Sequence, residues 1–341
     1  MEVSSTVAKA EIDRRDEDSA LDYFVLDVFS ERRLAGNPLA VVLNTCSLSD
    51  AMMLAIARET NLSETTFVER RDAELEQREG VRVRIFTTEE ELPFAGHPTL
   101  GTASLLRAVA PECVVAREAA ETVTLALKVG SVPVVFTAQT QNEAAQAQGG
   151  AWPMRGEMTQ RDPEFGEVLD AATVAELTSL RVEDFDAQRP VQIVSTGTAF
   201  AIVALRSADA LARLRVKQEE AAAYLRARGA RWFYVMGPEG GAVRGGLAAS
   251  PAVPEPAAWR ARMQFNGGED PATGSAAGCA ISYLVRHGAV APEATVHMRQ
   301  GVEMERPSDL YLRAGLREGK VERVRVAGST ILVAKGRLFL P

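Results

Sequence analysis

Two stretches of this 341-residue sequence repeat one another in the same order. Gly36-Asn37-Pro38-Leu39-Ala40-Val41-Val42 parallels Gly197-Thr198-Ala199-Phe200-Ala201-Ile202-Val203, and Pro98-Thr99-Leu100-Gly101-Thr102-Ala103 parallels Pro271-Ala272-Thr273-Gly274-Ser275-Ala276. A chain carrying two copies of one unit is held to two similar packing arrangements, and a length beyond what one hydrophobic core usually supports agrees with that.

The local patterns recur in the same succession. Residues 23–29 read as a strand, Gly36-Asn37-Pro38 as a turn and residues 39–43 as a second strand, giving a hairpin or a close relative of one. Ser49 then suits an N-cap, and Met52, Met53, Ile56 and Ala57 mark one helical face ending near Thr60. Thr65–Glu69 is a strand, and Val81, Val83 and Ile85 alternate with arginines as in a half-buried one. An apolar, small-residue helix is expected over residues 99–110.

The second half repeats this with strands at 191–195 and 197–205, a helix at 217–228, strands at 232–236 and 261–265, and a helix at 272–286 stopped by Gly288. Thr137 to Gly150, rich in Gln and Ala, suits an exposed link or an added helix. Residues 1–20 read as a disordered tail, with charged residues and no apolar segment of signal type.

Composition narrows the partners. Lys and Arg number 38 against 46 Asp and Glu, a net charge of -8 that repels a phosphate backbone or an anionic membrane. No apolar run approaches the length of a membrane span. The cysteines Cys46, Cys113 and Cys279 are odd in number and widely spaced, which suits reduced thiols and a cytoplasmic location. Paired cysteines, His-Glu-x-x-His, calcium loops and nucleotide-binding glycine patterns are absent, so no metal and no cofactor are expected. Ser275 lacks the elbow of a serine hydrolase, and the charged run from Lys217 to Arg228 reads as a solvated helix face.

The chemistry-bearing positions lie at the repeats. His97 and Asp270 each precede a proline that suits the first position of a helix, which places both at helix mouths. Helix N-termini carry unpaired N–H groups and partial positive charge, so two of them facing one cleft would hold a carboxylate and stabilise an adjacent enolate-like charge. Gly96, Gly101 and Gly274 allow close backbone approach, and the dipole favours neutral His97. Glu64, between Leu62 and Phe67, is a candidate base because apolar surroundings raise a carboxyl pKa.

Three ordered motifs, Leu62-Ser63-Glu64-Thr65-Thr66-Phe67, Leu92-Pro93-Phe94-Ala95-Gly96-His97-Pro98 and Glu269-Asp270-Pro271-Ala272-Thr273-Gly274-Ser275-Ala276, resemble the PhzF-like family of the diaminopimelate epimerase-like superfamily. The likeness runs from about Tyr23 to the C-terminus and includes Gln300-Gly301 and Arg306-Pro307-Ser308. It implies an α+β fold of two similar lobes, each an antiparallel sheet or barrel curled around a central helix. The last strand would return to the first lobe, giving lobes of residues 21–136 plus 328–341 and of 137–327. It also implies a homodimer and an isomerase that needs no cofactor and shifts a proton on a small carboxylate, with a cyclic dihydro-hydroxyanthranilate as precedent.

In that resemblance Glu64 ferries the proton, while His97, Asp270 and Ser275 hold substrate or assist. Ser63, Gly96 and Gly274 would contact it. Two other readings stay open: a non-catalytic binding module on the same fold, and a two-base epimerase opposing Glu64 with Asp270 or Cys279. The superfamily's two-cysteine racemases are disfavoured, because His97 and Asp270 occupy the helix mouths and Cys279 lies about two turns inside its helix.

Overall fold

The computed structural model describes residues 20–117, 120–137, 152–240, 256–265 and 268–341. Residues 1–19 of the expected tail and 138–150 of the Gln-rich link lie outside the described residues. The first half contains β1 (Leu21–Val28), β2 (Asn37–Leu43), α1 (Asp50–Thr60), β3 (Thr65–Glu69), α2 (Ala73–Glu79), β4 (Val81–Phe86), β5 (Glu91–Leu92), α3 (Gly96–Val109), β6 (Val114–Arg117), β7 (Ala120–Leu127), β8 (Gly130–Thr137) and β9 (Met154–Thr159). There follow β10 (Glu164–Val168), α4 (Ala171–Thr178), β11 (Gln192–Ser195), β12 (Ala199–Ala204), α5 (Gln218–Arg226), β13 (Trp232–Pro238), β14 (Ala257–Arg262), β15 (Gln264–Phe265), β16 (Gly268–Glu269), α6 (Gly274–Arg286), β17 (Val296–Gln300), β18 (Ser308–Arg317) and β19 (Lys320–Leu338).

β1, β2, β3, β4, β7, β8, β9 and β19 pair in that order and close back on β1, forming a mixed barrel. The sheets are not the antiparallel ones expected: β2–β3, β4–β7, β12–β13 and β14–β17 are parallel. The cause is connectivity, since parallel neighbours require a crossover and each of these pairs is joined through a helix. β9 follows the Gln-rich link, yet it completes the first barrel. Its buried Met154, Gly156 and Met158 alternate inward there, a pattern too short to name its partners from sequence.

The barrel is filled by α3. Gly96 through Leu106 are all buried, so the helix carries no polar stripe because it has no wet side. α6 is likewise buried at Gly274 and from Ala276 through Val285, and it packs on β11, β12, β18 and β19. One apolar cluster runs from Leu26 and Leu100 in the barrel to Ala277 and Leu284 beyond it. A separate cluster seats α1 through Met53, Ile56 and Ala57 on Val42, Phe67 and Phe86. Among the described residues no helix is long and apolar enough to cross a membrane.

Candidate active site

The two buried helices meet tip to tip. α3 begins at Gly96, two residues before Pro98, because the Thr99 N–H already bonds to Ala95 O at 3.2 Å. His97 is thus inside the first turn, and the missing N–H of Pro98 falls among the amides that a helix start leaves unpaired. α6 begins later than expected, at Gly274, so Asp270 and Pro271 lie ahead of it in the approaching turn. A Cβ on Gly96 would sit 3.0 Å from Gly274 Cα and 3.1 Å from Ser275 N, so only glycine lets the tips touch.

Glu64 reaches this junction from the barrel wall. α1 stops at Thr60 with left-handed Asn61 as its cap, and β3 starts at Thr65, whose hydroxyl lies 2.8 Å from that of Thr60. β2 and β3 run parallel, with Ala40 opposite Thr65, so Asn37 and Glu64 emerge at the same barrel end. Glu64 keeps 17% of its side-chain surface, but Oε2 is closed to solvent and lies 3.6 Å from His97 Nε2. That is too long for a hydrogen bond. Neither atom has another partner, and each unmet buried polar group costs about 1–3 kcal/mol.

Asn37 joins the two halves. Its Nδ2 donates to Asp270 Oδ1 and to Ala272 O, both at 2.8 Å, and stands 3.2 Å from His97 Nδ1. Reversing the amide would set its oxygen against two acceptors, so the orientation is fixed. The bonds to Asp270 and Ala272 use both amide hydrogens, and the amide nitrogen cannot accept, so a proton on His97 Nδ1 would face it without an acceptor; the ring proton is therefore assigned to Nε2, facing Glu64. Thr273 Oγ1 donates to Asp270 Oδ2 at 2.7 Å, and Gln300 Nε2 donates to Asp270 O at 2.7 Å. The loop before Asn37 is clamped by Arg306, which donates to Gly36 O at 2.9 Å and to Asp27 Oδ1 at 2.6 Å, so the Arg306-Pro307-Ser308 turn braces this loop.

Burial dominates the electrostatics. Together with the nearby Asp270 charge, it pushes the Glu64 carboxyl up to about 7, against a Ser63 hydrogen bond that lowers it. Burial also raises Asp270 to about 6, with the Thr273, Ala272 and Asn37 hydrogen bonds opposing. It depresses His97 to about 3, leaving the ring neutral. Near neutrality Glu64 can therefore exchange a proton, whereas the His97 ring stays neutral.

The structure brings Glu64, His97, Asp270, Gly96, Gly274 and Ser275 to one junction. Ser63 is exposed at its edge, its Oγ 3.5 Å from Asn37 Oδ1. Cys279 is elsewhere: fully buried, 3.7 Å from Thr196 Oγ1, with its thiol pushed up to about 12 by burial.

Comparison with known proteins now bears on this geometry. Residues 26–336 match the phenazine biosynthesis-like protein family, PhzC-PhzF. The chain belongs to that family. The trans-2,3-dihydro-3-hydroxyanthranilate isomerase of Pseudomonas aeruginosa is 32% identical over 322 residues, 93% of this chain and 99% of its own. The isomerase of the same name from Pseudomonas fluorescens is 32% identical over 329 residues, 94% of this chain and 99% of its own. A solved structure described as a predicted epimerase from Pseudomonas aeruginosa matches with a TM-score of 0.73 at 33% identity, over 94% of this chain and 100% of that one. A hydroxyproline epimerase from Agrobacterium vitis shares the fold, with a TM-score of 0.54 at 11% identity over 94% of this chain and 93% of that one. This PhzC-PhzF protein is an isomerase.

Sequence reasoning passed over three polar residues of the PhzC-PhzF site. Asn37 lies in a repeated turn, Gln300 beside Gly301, and Thr273 within the third motif, and nothing in the sequence gives any of them a role. The usable signal is that Asn37 opens the buried strand β2 and thus sits at a barrel mouth.

Proposed function

We propose that the protein moves one proton between two carbons of a small cyclic carboxylate, with Glu64 as the carrier. The observation that carries this reading is Glu64 Oε2, closed to solvent and unpartnered, aimed at the equally unpartnered His97 Nε2 where two helix N-termini abut. Ionised Glu64 takes a proton from carbon: a C–H bond breaks, a carboxyl O–H forms, and the electron pair spreads towards the substrate carboxylate. The amides at the start of α6 and the His97 Nε2–H stabilise that charge. Glu64 then returns the proton to a second carbon as the double bond shifts. No cofactor enters this balance.

Asp270 has each carboxylate oxygen bonded, to Asn37 and to Thr273, which supports a framing role over that of a second base. The cyclic substrate is suggested by the dihydro-hydroxyanthranilate named for the Pseudomonas relatives. The reading retains the expectation of a cytoplasmic homodimer. It also treats the two halves as copies of one unit. In support, Arg84 forks onto Glu91 at 2.9 and 2.7 Å, and Arg262 onto Glu269, the same distance along the chain, at 2.8 and 2.5 Å.

The test is conversion of trans-2,3-dihydro-3-hydroxyanthranilate in deuterium oxide, followed by NMR. Solvent deuterium should appear at the second carbon of the product in so far as the Glu64 carboxyl exchanges with solvent before it gives its proton back, and Glu64→Gln should abolish turnover. Turnover surviving in Glu64→Gln would overturn the assignment.

A further inference from the structure

Gln160, which follows β9, is 7% exposed and uses its side chain wholly inside the protein. Its backbone N–H bonds to Val324 O at 2.8 Å, tying it to β19. Its Nε2 donates to Gly274 O at 2.8 Å, and its Oε1 accepts from Thr196 Oγ1 at 2.7 Å. The amide is wedged against α6 at Gly278, where any Cβ would collide with it. A residue from the barrel half thus grips the first carbonyl of the helix from the other half.

That carbonyl matters because of what shares its peptide unit. Gly274 O and the Ser275 N–H belong to one planar trans peptide, so they point in opposite directions. The first α6 backbone bond is Ala277 N–H to Thr273 O, at 2.9 Å, so the Ser275 N–H precedes the helix's own ladder. It points back along the helix axis, ahead of the first turn, and its nitrogen lies beside Gly96. A hydrogen bond received at one end of a peptide strengthens the donor at the other.

We infer that Gln160 is a positioning residue that orients and polarises the Gly274–Ser275 peptide, sharpening the Ser275 N–H as a donor to a carboxylate in the cleft. This inference rests on the proposed function, which places a carboxylate there. Thr196 is its second anchor, holding Oε1 so that Nε2 can aim only at Gly274 O. Nothing in Gln160 touches the reacting atoms.

The experiment uses the full chain labelled with carbonyl-13C glycine and 15N serine, which selects the Gly-Ser peptides 130–131, 274–275 and 328–329. Anthranilate serves as the carboxylate probe. In Gln160→Met the 274–275 amide proton should move upfield while the other two signals stay in place, and anthranilate should bind about tenfold more weakly. Thr196→Val, which keeps the donor but frees Oε1, should move the same signal less and weaken binding about two- to threefold. It serves as the second variant should Gln160→Met not fold. An unmoved 274–275 signal, or unchanged affinity despite a moved signal, overturns the role of Gln160. Failure of wild-type protein to bind anthranilate or any benzoate in the cleft would overturn the proposed function instead.

Discussion

Replacing Glu64 with glutamine should make the protein more stable at alkaline pH while removing its activity. Burial and the Asp270 charge raise Glu64 from 4.5 to about 7. A carboxyl raised on folding keeps its proton longer in the folded state, so stability is full below the unfolded value and is lost as pH climbs to about 7. Over about 2.5 units at about 1.4 kcal/mol each, ionised Glu64 costs the fold about 3 kcal/mol at pH 8. His97 has the opposite dependence, gaining stability as pH rises from about 3 towards its ordinary range, but it is present in both proteins and cancels from the difference. Urea unfolding of wild type and Glu64→Gln at pH 5 and pH 8 measures this directly. The variant should exceed wild type by about 2–3 kcal/mol at pH 8 and by under about 1 kcal/mol at pH 5. A variant no more stable at pH 8, or one whose advantage grows as pH falls, would refute the burial argument.

Two further outcomes follow from the same geometry. Asp270→Asn removes a charge that helps raise Glu64, so the rising limb of kcat/KM against pH, expected near 7, should move to lower pH by under about one unit; a limb that stays or moves up would exclude that coupling. Gly96→Ala drives a Cβ to within 3.0 Å of Gly274 Cα and should cost about 1–3 kcal/mol in denaturant unfolding, whereas an undisturbed midpoint would mean the helix tips have room to part.

Much of this architecture was legible from residue order because periodicity is local. The alternation at Val81, Val83 and Ile85 is β4, and the Ser49 cap with its apolar face is α1, whose Ser49 Oγ accepts from Met52 N at 3.2 Å. The predominance of small and apolar residues in α3 and α6 fits their burial. Strand direction was not legible, since β2 reads alike whether β3 runs with it or against it, and only the crossover through α1 decides. Glu64 and His97 were found through short motifs whose residues lie at loop-to-element junctions. Asn37 and Gln160 were harder: each acts through a partner in the other half, Asp270 for one and Gly274 for the other, and no window of sequence contains both members. The helix starts were misplaced by two or three residues because a proline tolerates several first-turn positions.

The pairing of β1 with residues Thr330 to Leu338 of β19 has a consequence for biosynthesis. β1 finds this neighbour only when that stretch, far later in the chain, has been made, so the barrel around α3 stays open along a seam until then. A nascent chain must therefore keep β1 and β9 from pairing with other exposed edges until β19 arrives.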